Sequence, residues 1–343
     1  MSSEIRVLLA GAGRAGLVHG RNFAAGIRGA RLVAIADPDE QAREAAAAEL
    51  DPAIVFDDPE KAAVSDEIDA VVVAAPTFAH APIVRSALLA GKHVLCEKPL
   101  AASLAEAREL VDLAERSEGR LLMAFMRRFD EGFLRAEERI AAGDIGAPVL
   151  VKSTCRGPGL PPPWAWDPQV SGGLIAEVNS HDIDTARWLS GKEFVSAHAF
   201  GAAAKRPDIR KEHPDFVDVV IASFELEDSV LAQIDGACPA DYGYDARIEI
   251  YGTEGVIFVG SPMKPGAMVV RADGASADPV TSWRALFADA YRAEDAHLIE
   301  VARGEAAPLT TAIDGLRALE VVFAVNESLR TGRTVHLEEV QSS

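Results

Sequence analysis

Apolar residues follow two rhythms along the first part of this chain. Short, mostly apolar runs fall at residues 5–10, 31–36, 53–56, 69–75, 92–96 and 120–125. Between them lie longer stretches of mixed composition at 17–25, 39–50, 79–90 and 103–117. The run Asp69-Ala70-Val71-Val72-Val73-Ala74-Ala75 has no polar face, as expected of a strand buried on both sides of a parallel sheet. The alanine-rich, charge-dotted stretches have the composition of helices. Alternation of this kind predicts a doubly wound α/β sheet, with ligand at the carboxyl ends of its strands.

The rhythm changes near Met126. Residues 127–142 read as a linking helix and 149–156 as a strand. The Pro- and Gly-rich loop 157–166 excludes regular structure, and a helix is predicted over 174–189. Strand-like runs follow at 195–200, 217–224, 230–234, 248–251, 256–259 and 268–271. Glu227-Asp228 and Thr253-Glu254-Gly255 are turn signals that join consecutive runs as hairpins. Two helices, 285–302 and 312–331, and a short strand, 334–337, close the chain. The second half is therefore read as a large, mostly antiparallel open sheet with helices. The exposed face of such a sheet calls for a second subunit, which predicts a homodimer or homotetramer.

The first strand runs into Gly11-Ala12-Gly13-Arg14-Ala15-Gly16, a G-x-G-x-x-G turn that opens a helix. Gly11 permits the tight turn, Gly13 leaves room for a pyrophosphate, and Gly16 lets the helix pack close to the strand. The second strand ends in Asp37, whose carboxylate is placed to hydrogen-bond a ribose 2′-hydroxyl and would repel a 2′-phosphate. Pro38 and Asp39 offer no cation. NAD is thus expected over NADP, on a Rossmann domain of residues 1–125, followed by a substrate-binding and oligomerisation domain of 126–343 whose last helices have room to pack back on the first.

Composition narrows the classes further. The 343 residues carry 53 acidic and 34 basic side chains, a net charge of −19. Such a surface repels phosphate backbones and anionic lipids, so neither nucleic acid nor membrane is an expected partner. Apolar runs are too short to span a bilayer, and Met1-Ser2-Ser3-Glu4 leads directly into the first strand, so no signal peptide is expected. Cys96, Cys155 and Cys238 are few, widely spaced and set among apolar neighbours, as for reduced thiols of a cytoplasmic protein. Their spacing matches no metal motif, and no metal is expected.

Candidate chemistry lies at the strand ends. Pro76-Thr77-Phe78-Ala79-His80, Glu97-Lys98-Pro99 and Met126-Arg127-Arg128-Phe129 follow the fourth, fifth and sixth strands. Pro99 restricts Lys98, but position alone leaves two readings open, an ammonium held at a site and a solvated lysine. On the helix after Gly172-Gly173, Glu177, His181 and Asp184 are spaced i, i+4, i+7 and share a face. A carboxylate beside an imidazole suits a general base; a solvated acidic face with a satisfied histidine is the competing account.

These motifs together resemble the Gfo/Idh/MocA oxidoreductases over essentially the whole chain. The likeness takes in Gly11–Gly16, Pro76-Thr77 with His80, Glu97-Lys98-Pro99, the segment Gly172 to Asp184, and Asp314-Gly315-Leu316-Arg317-Ala318-Leu319-Glu320 with Asn326-Glu327-Ser328 and Gly332. Arg127-Arg128-Phe129-Asp130 and Tyr244-Asp245-Ala246-Arg247 are most similar to inositol dehydrogenases. The resemblance implies that Lys98 binds the reacting oxygen, that His181 accepts its proton and that Glu177, where the family has aspartate, orients them. It implies a cofactor site of Gly11, Ala12, Gly13, Arg14, Ala15, Gly16, Asp37, Pro76, Thr77, His80, Glu97, Lys98 and Arg127. Met126 replaces the asparagine expected near the nicotinamide.

The expected reaction is hydride transfer from a secondary carbinol of a cyclitol or sugar to NAD. Lys98, His181, Asn179, Trp164 and Tyr244 are the candidate substrate contacts; aromatic faces suit ring C–H faces, and packing accounts equally well for the aromatics. The alternatives are a keto-sugar or aminocyclitol reductase, a non-catalytic NAD-binding sensor, and a self-contained redox cycle with tightly held cofactor.

Overall fold

The computed structural model describes residues 4–342, the side chains of 265–267 excepted. Met1, Ser2 and Ser3, expected to lead into the first strand, lie outside the described residues. The chain divides into two compact units, one running to Phe129 and including Asp289–Leu319, the other formed by Asp130–Ala288 and the chain from Glu320 onward. A single cut between residues 125 and 126 therefore does not describe the division: the first unit runs four residues further and recruits a distant segment.

In the first unit, β1 (Ile5–Ala10), α1 (Gly16–Ala24), β2 (Ala30–Ala36), α2 (Glu40–Leu50), β3 (Ile54–Phe56), α3 (Pro59–Ala63), β4 (Ala70–Val73), α4 (His80–Leu89), β5 (His93–Cys96), α5 (Leu104–Arg116) and β6 (Leu121–Met123) alternate. The sheet order is β3-β2-β1-β4-β5-β6, with every pairing parallel. Strand order reverses between β1 and β4, the place where a doubly wound sheet takes its ligand. Helix starts follow the sequence: Asp39 caps α2, Asp58 caps α3 and Ser103 caps α5, each through its side chain. Val7, Leu9, Ile35, Val72, Leu95 and Leu122 form the core on the sheet, joined by Leu298, Ile299 and Val301 from the distant segment.

The second unit opens with α6 (Glu131–Ala141), β7 (Pro148–Arg156), α7 (Pro168–Ser171) and α8 (Gly173–Ser190). Then come β8 (Phe194–Ala202), β9 (Val219–Leu226), β10 (Leu231–Ala237), β11 (Asp245–Gly252), β12 (Val256–Val259), β13 (Met263–Arg271), β14 (Gly274–Pro279) and α9 (Trp283–Leu286). Helix α10 (Ala288–Ala302) belongs almost wholly to the first unit, and the boundary at Leu319/Glu320 falls inside α11 (Ala312–Thr331); β15 (Val335–His336) and α12 (Leu337–Gln341) end the chain. Seven strands form a sheet in the order β12-β11-β7-β10-β9-β8-β15. Only β7 and β10 pair in parallel, and both predicted hairpins, β9–β10 and β11–β12, are present.

Several elements differ from expectation. The linking helix is a 3-10 turn, Met126–Phe129, followed by α6, because Asp130 caps the amides of Gly132 and Phe133 and starts a new helix. The helix expected at 285–302 is broken at Phe287 into α9 and α10. The Pro-rich loop contains a 3-10 turn at Pro163–Trp166, tied by Trp166 Nε1 donating to the Pro161 carbonyl at 3.0 Å.

Candidate active site

At the carboxyl end of β1, Gly11 has φ +104°, and a Cβ there would lie 2.6 Å from the Ala74 carbonyl. A Cβ on Gly16 would collide with the Gly11 carbonyl oxygen, so α1 starts closer to the strand than any side chain allows. Gly13 is exposed and its missing Cβ faces open space. No side chain caps α1, which leaves its start to other acceptors. Asp37 backs the turn from β2: its Oδ2 accepts the Ala12 N–H at 2.7 Å and its Oδ1 the Asp39 N–H at 2.9 Å.

The strand-end residues divide into presented and committed groups. Pro76 is exposed and Thr77 buried at the end of β4, with Phe78 55% exposed beside them. Lys98 is half-buried after β5. His80, expected at the cofactor, is buried with Nδ1 2.7 Å from the Pro99 carbonyl and Nε2 2.8 Å from the Ala75 carbonyl. Both nitrogens serve the scaffold, so His80 is corrected to a brace between the β4 turn and the Lys98-Pro99 turn. Burial pushes its imidazolium down, while the two carbonyls favour the charge. Glu97 is likewise corrected: its carboxylate is turned inward, and Oε2 accepts the Lys98 N–H at 3.1 Å. Arg127 is wholly buried and offers no surface to a cofactor. Its neighbour Arg128 donates to Asp314 Oδ1 at 3.0 Å and to the Leu309 carbonyl at 3.1 Å.

Helix α8 carries the second set. It begins after Gly172, at φ +80°, and ends at Gly191 in the left-handed region. Glu177 is half-buried and His181 is 7% exposed, one turn apart on the same helix. Asp184 is buried. Another face of α8 looks onto the sheet: Asn179 Nδ2 donates to Asp182 Oδ2 at 2.9 Å and to the Asp235 carbonyl of β10 at 3.1 Å. Ser153 of β7 donates to Asp182 Oδ1 at 2.5 Å. Asn179 is fully buried in this join, so its expected place in a substrate pocket is corrected. Tyr244 is corrected too: it is 6% exposed, with its hydroxyl 3.5 Å from Cys155 Sγ and its ring edge-on to Phe287. Trp164 is half-buried on the 3-10 turn of the loop.

The model of the oxidoreductase family with an NAD-binding Rossmann fold, GFO/IDH/MocA, matches residues 5–125, and that of the family's C-terminal domain matches 133–258. The chain belongs to the Gfo/Idh/MocA family. Among similar members, scyllo-inositol 2-dehydrogenase (NAD(+)) of Bacillus subtilis is 33% identical over 98% of both chains. Inositol 2-dehydrogenase 2 of Saccharopolyspora erythraea is 37% identical over 98% of this chain and 96% of its own. The crystal structure of Lactobacillus casei scyllo-inositol dehydrogenase with bound NAD(H) and scyllo-inositol superposes with a TM-score of 0.91 at 27% identity, over 98% of this chain and all of that one.

The first unit of this Gfo/Idh/MocA oxidoreductase fits NAD. The helix start has no side-chain cap, Gly13 is open on its Cβ side and the Asp37 carboxylate backs the turn, so these are the groups that would hold its pyrophosphate and ribose. Reading the sequence missed a cation: Arg43, on α2, donates to the Asp37 carbonyl at 2.7 Å. Only helical geometry, which brings the first turn of α2 back over the end of β2, reveals it. It also missed His19, which lies three residues past Gly16 and is joined to Asp295.

Proposed function

We propose that this protein is an NAD-dependent dehydrogenase that oxidises a secondary hydroxyl of a cyclitol, with inositol the expected substrate. The observation that carries the reading is the match, over at least 96% of both chains, to relatives named for inositol oxidation. The retained Lys98 and the Glu177/His181 turn of α8 support it. Bound NAD supplies the hydride acceptor. Lys98, at the end of β5, holds the substrate oxygen and stabilises the alkoxide that develops as hydride leaves. His181 takes the hydroxyl proton as general base, and Glu177, one turn earlier, orients that pair. Pro76 and Thr77 complete the cofactor's nicotinamide side, and Trp164 offers an aromatic face to the ring.

A panel of cyclitols and sugars assayed with NAD, following absorbance of the reduced cofactor, tests the reading. Turnover of myo- or scyllo-inositol is expected. Turnover confined to keto-sugars with reduced cofactor, or to none of the panel, overturns it. Lys98→Met and His181→Ala are each expected to lower kcat by about 10²–10⁴-fold with cofactor binding retained; near-normal turnover removes that residue's role.

Two further features belong to this reading. The thiols of Cys96, Cys155 and Cys238 are buried, which supports a cytoplasmic enzyme; among the described residues no helix is long and apolar enough to cross a membrane. The face of the large sheet opposite α8 exposes Phe200 beside Ile221, and Leu231, Tyr251, Val256 and Phe258. A second copy of the chain is the expected cover, giving a homodimer or homotetramer.

A further inference from the structure

A buried imidazole lies behind the Glu97-Lys98-Pro99 turn and takes no part in the chemistry above. His19, in the first turn of α1, is fully buried. Its Nδ1 is 2.6 Å from Asp295 Oδ1 on α10, and its Nε2 is 3.4 Å from Glu97 Oε1 at the end of β5. Asn22, on the same helix, donates to the other oxygen of Asp295 at 2.8 Å. The second oxygen of Glu97 receives the Lys98 N–H. Tyr291 of α10 sets its ring edge-on to His19, with centroids 5.4 Å apart.

Carboxylates only accept, so a ring facing one at each nitrogen donates twice and carries a positive charge. Burial opposes that charge, but Asp295 and then Glu97 outweigh it and hold the His19 pKa well above the ordinary value. Against its own burial, the Glu97 carboxyl is kept below its ordinary range by His19 and Lys98. A buried charged trio adds little net stability compared with apolar packing of the same volume. What it adds is direction.

We propose that His19 is a positioning residue of the oxidoreductase site: its double hydrogen bond to Asp295 and Glu97 fixes the backbone of Lys98 against α1, the helix that receives the pyrophosphate. The proposal rests on the reading of Lys98 as the group at the reacting oxygen. One helix then presents both the phosphate cradle at its start and, a few residues later, the anchor of the lysine turn. Misplacement of a reacting group by about 1 Å costs on the order of 10²-fold in rate.

The charges acting on His19 are Asp295 and Glu97, with Lys98 beside the latter. Because the folded pKa is raised, the contribution of the imidazolium is full below about pH 6.5, the ordinary histidine value, and is lost as pH rises through the raised one. In the wild-type holoenzyme kcat is therefore expected to fall on the alkaline side. His19→Gln is expected to lower kcat about 10- to 100-fold while KM for NAD changes less than about three-fold. Asp295→Asn, which keeps the shape but removes the charge, moves the alkaline fall of kcat to lower pH; it carries the test if His19→Gln does not fold. Unchanged kcat and an unmoved alkaline limb in folded variants, with Lys98→Met inactive, overturn the proposal and leave the Lys98 reading standing. Near-normal turnover in Lys98→Met overturns both.

Discussion

Asp37 holds the glycine turn with one carboxylate oxygen and the Asp39 amide with the other, while its own carbonyl is gripped by Arg43. The carboxylate therefore organises both the loop between β1 and α1 and the turn into α2. A guanidinium is already anchored on the carbonyl of the same residue. Asp37→Ser is expected to raise KM for NAD and shift the NADP/NAD ratio of kcat/KM toward NADP by about 10- to 100-fold, since Arg43 is then free to meet a 2′-phosphate unopposed. Steady-state kinetics with both cofactors decide it, and an unaltered ratio would show that Arg43 stays on its carbonyl. At this scale the legible residues were those whose reason is local. Gly11 and Gly16 are explained by backbone contacts within the turn and with the end of β4. His80, Arg127, Asn179 and Tyr244 were polar or aromatic groups in suggestive places, and a polar group near a site serves its scaffold as readily as its ligand. His19 was illegible for a different reason: its partner Asp295 is 276 residues away.

Among the elements, α8 shows what periodicity does and does not decide. Spacing correctly put Glu177 and His181 one turn apart on a helix, but it did not say which face meets the sheet. That face carries Asn179 and Asp182, a polar seam bonded to Ser153 and the Asp235 carbonyl. Asn179→Ala strips one donor from a buried carboxylate and one from a partly buried carbonyl, at a cost of about 1–3 kcal/mol. Thermal or denaturant unfolding is expected to show that loss, while KM for inositol in the folded variant stays near the wild-type value. A large rise in KM with stability intact would return Asn179 to the substrate. Segments with little apolar patterning were the hardest to read: β14, Gly274–Pro279, is built of small and polar residues and pairs with β13 without any alternating signal.

For the whole molecule, the two rhythms of the sequence separated a parallel from a mostly antiparallel sheet because burial on two faces and on one face leave different patterns. The exposed sheet face makes a prediction of its own. Phe200→Glu with Phe258→Glu places charge where both rings are about 70% exposed, at 67% and 70%. Sedimentation velocity is expected to show a smaller species than the wild type; equal sedimentation would mean that this face joins no subunits.

The nucleotide-binding body is assembled from two lengths of chain separated by a whole other fold. Genetic recombination that copied only the first 129 residues into a new host would leave behind α10, and with it Asp295, Leu298 and Ile299. Inheritance of this dehydrogenase scaffold is therefore all or nothing: a functional transplant must carry both separated pieces.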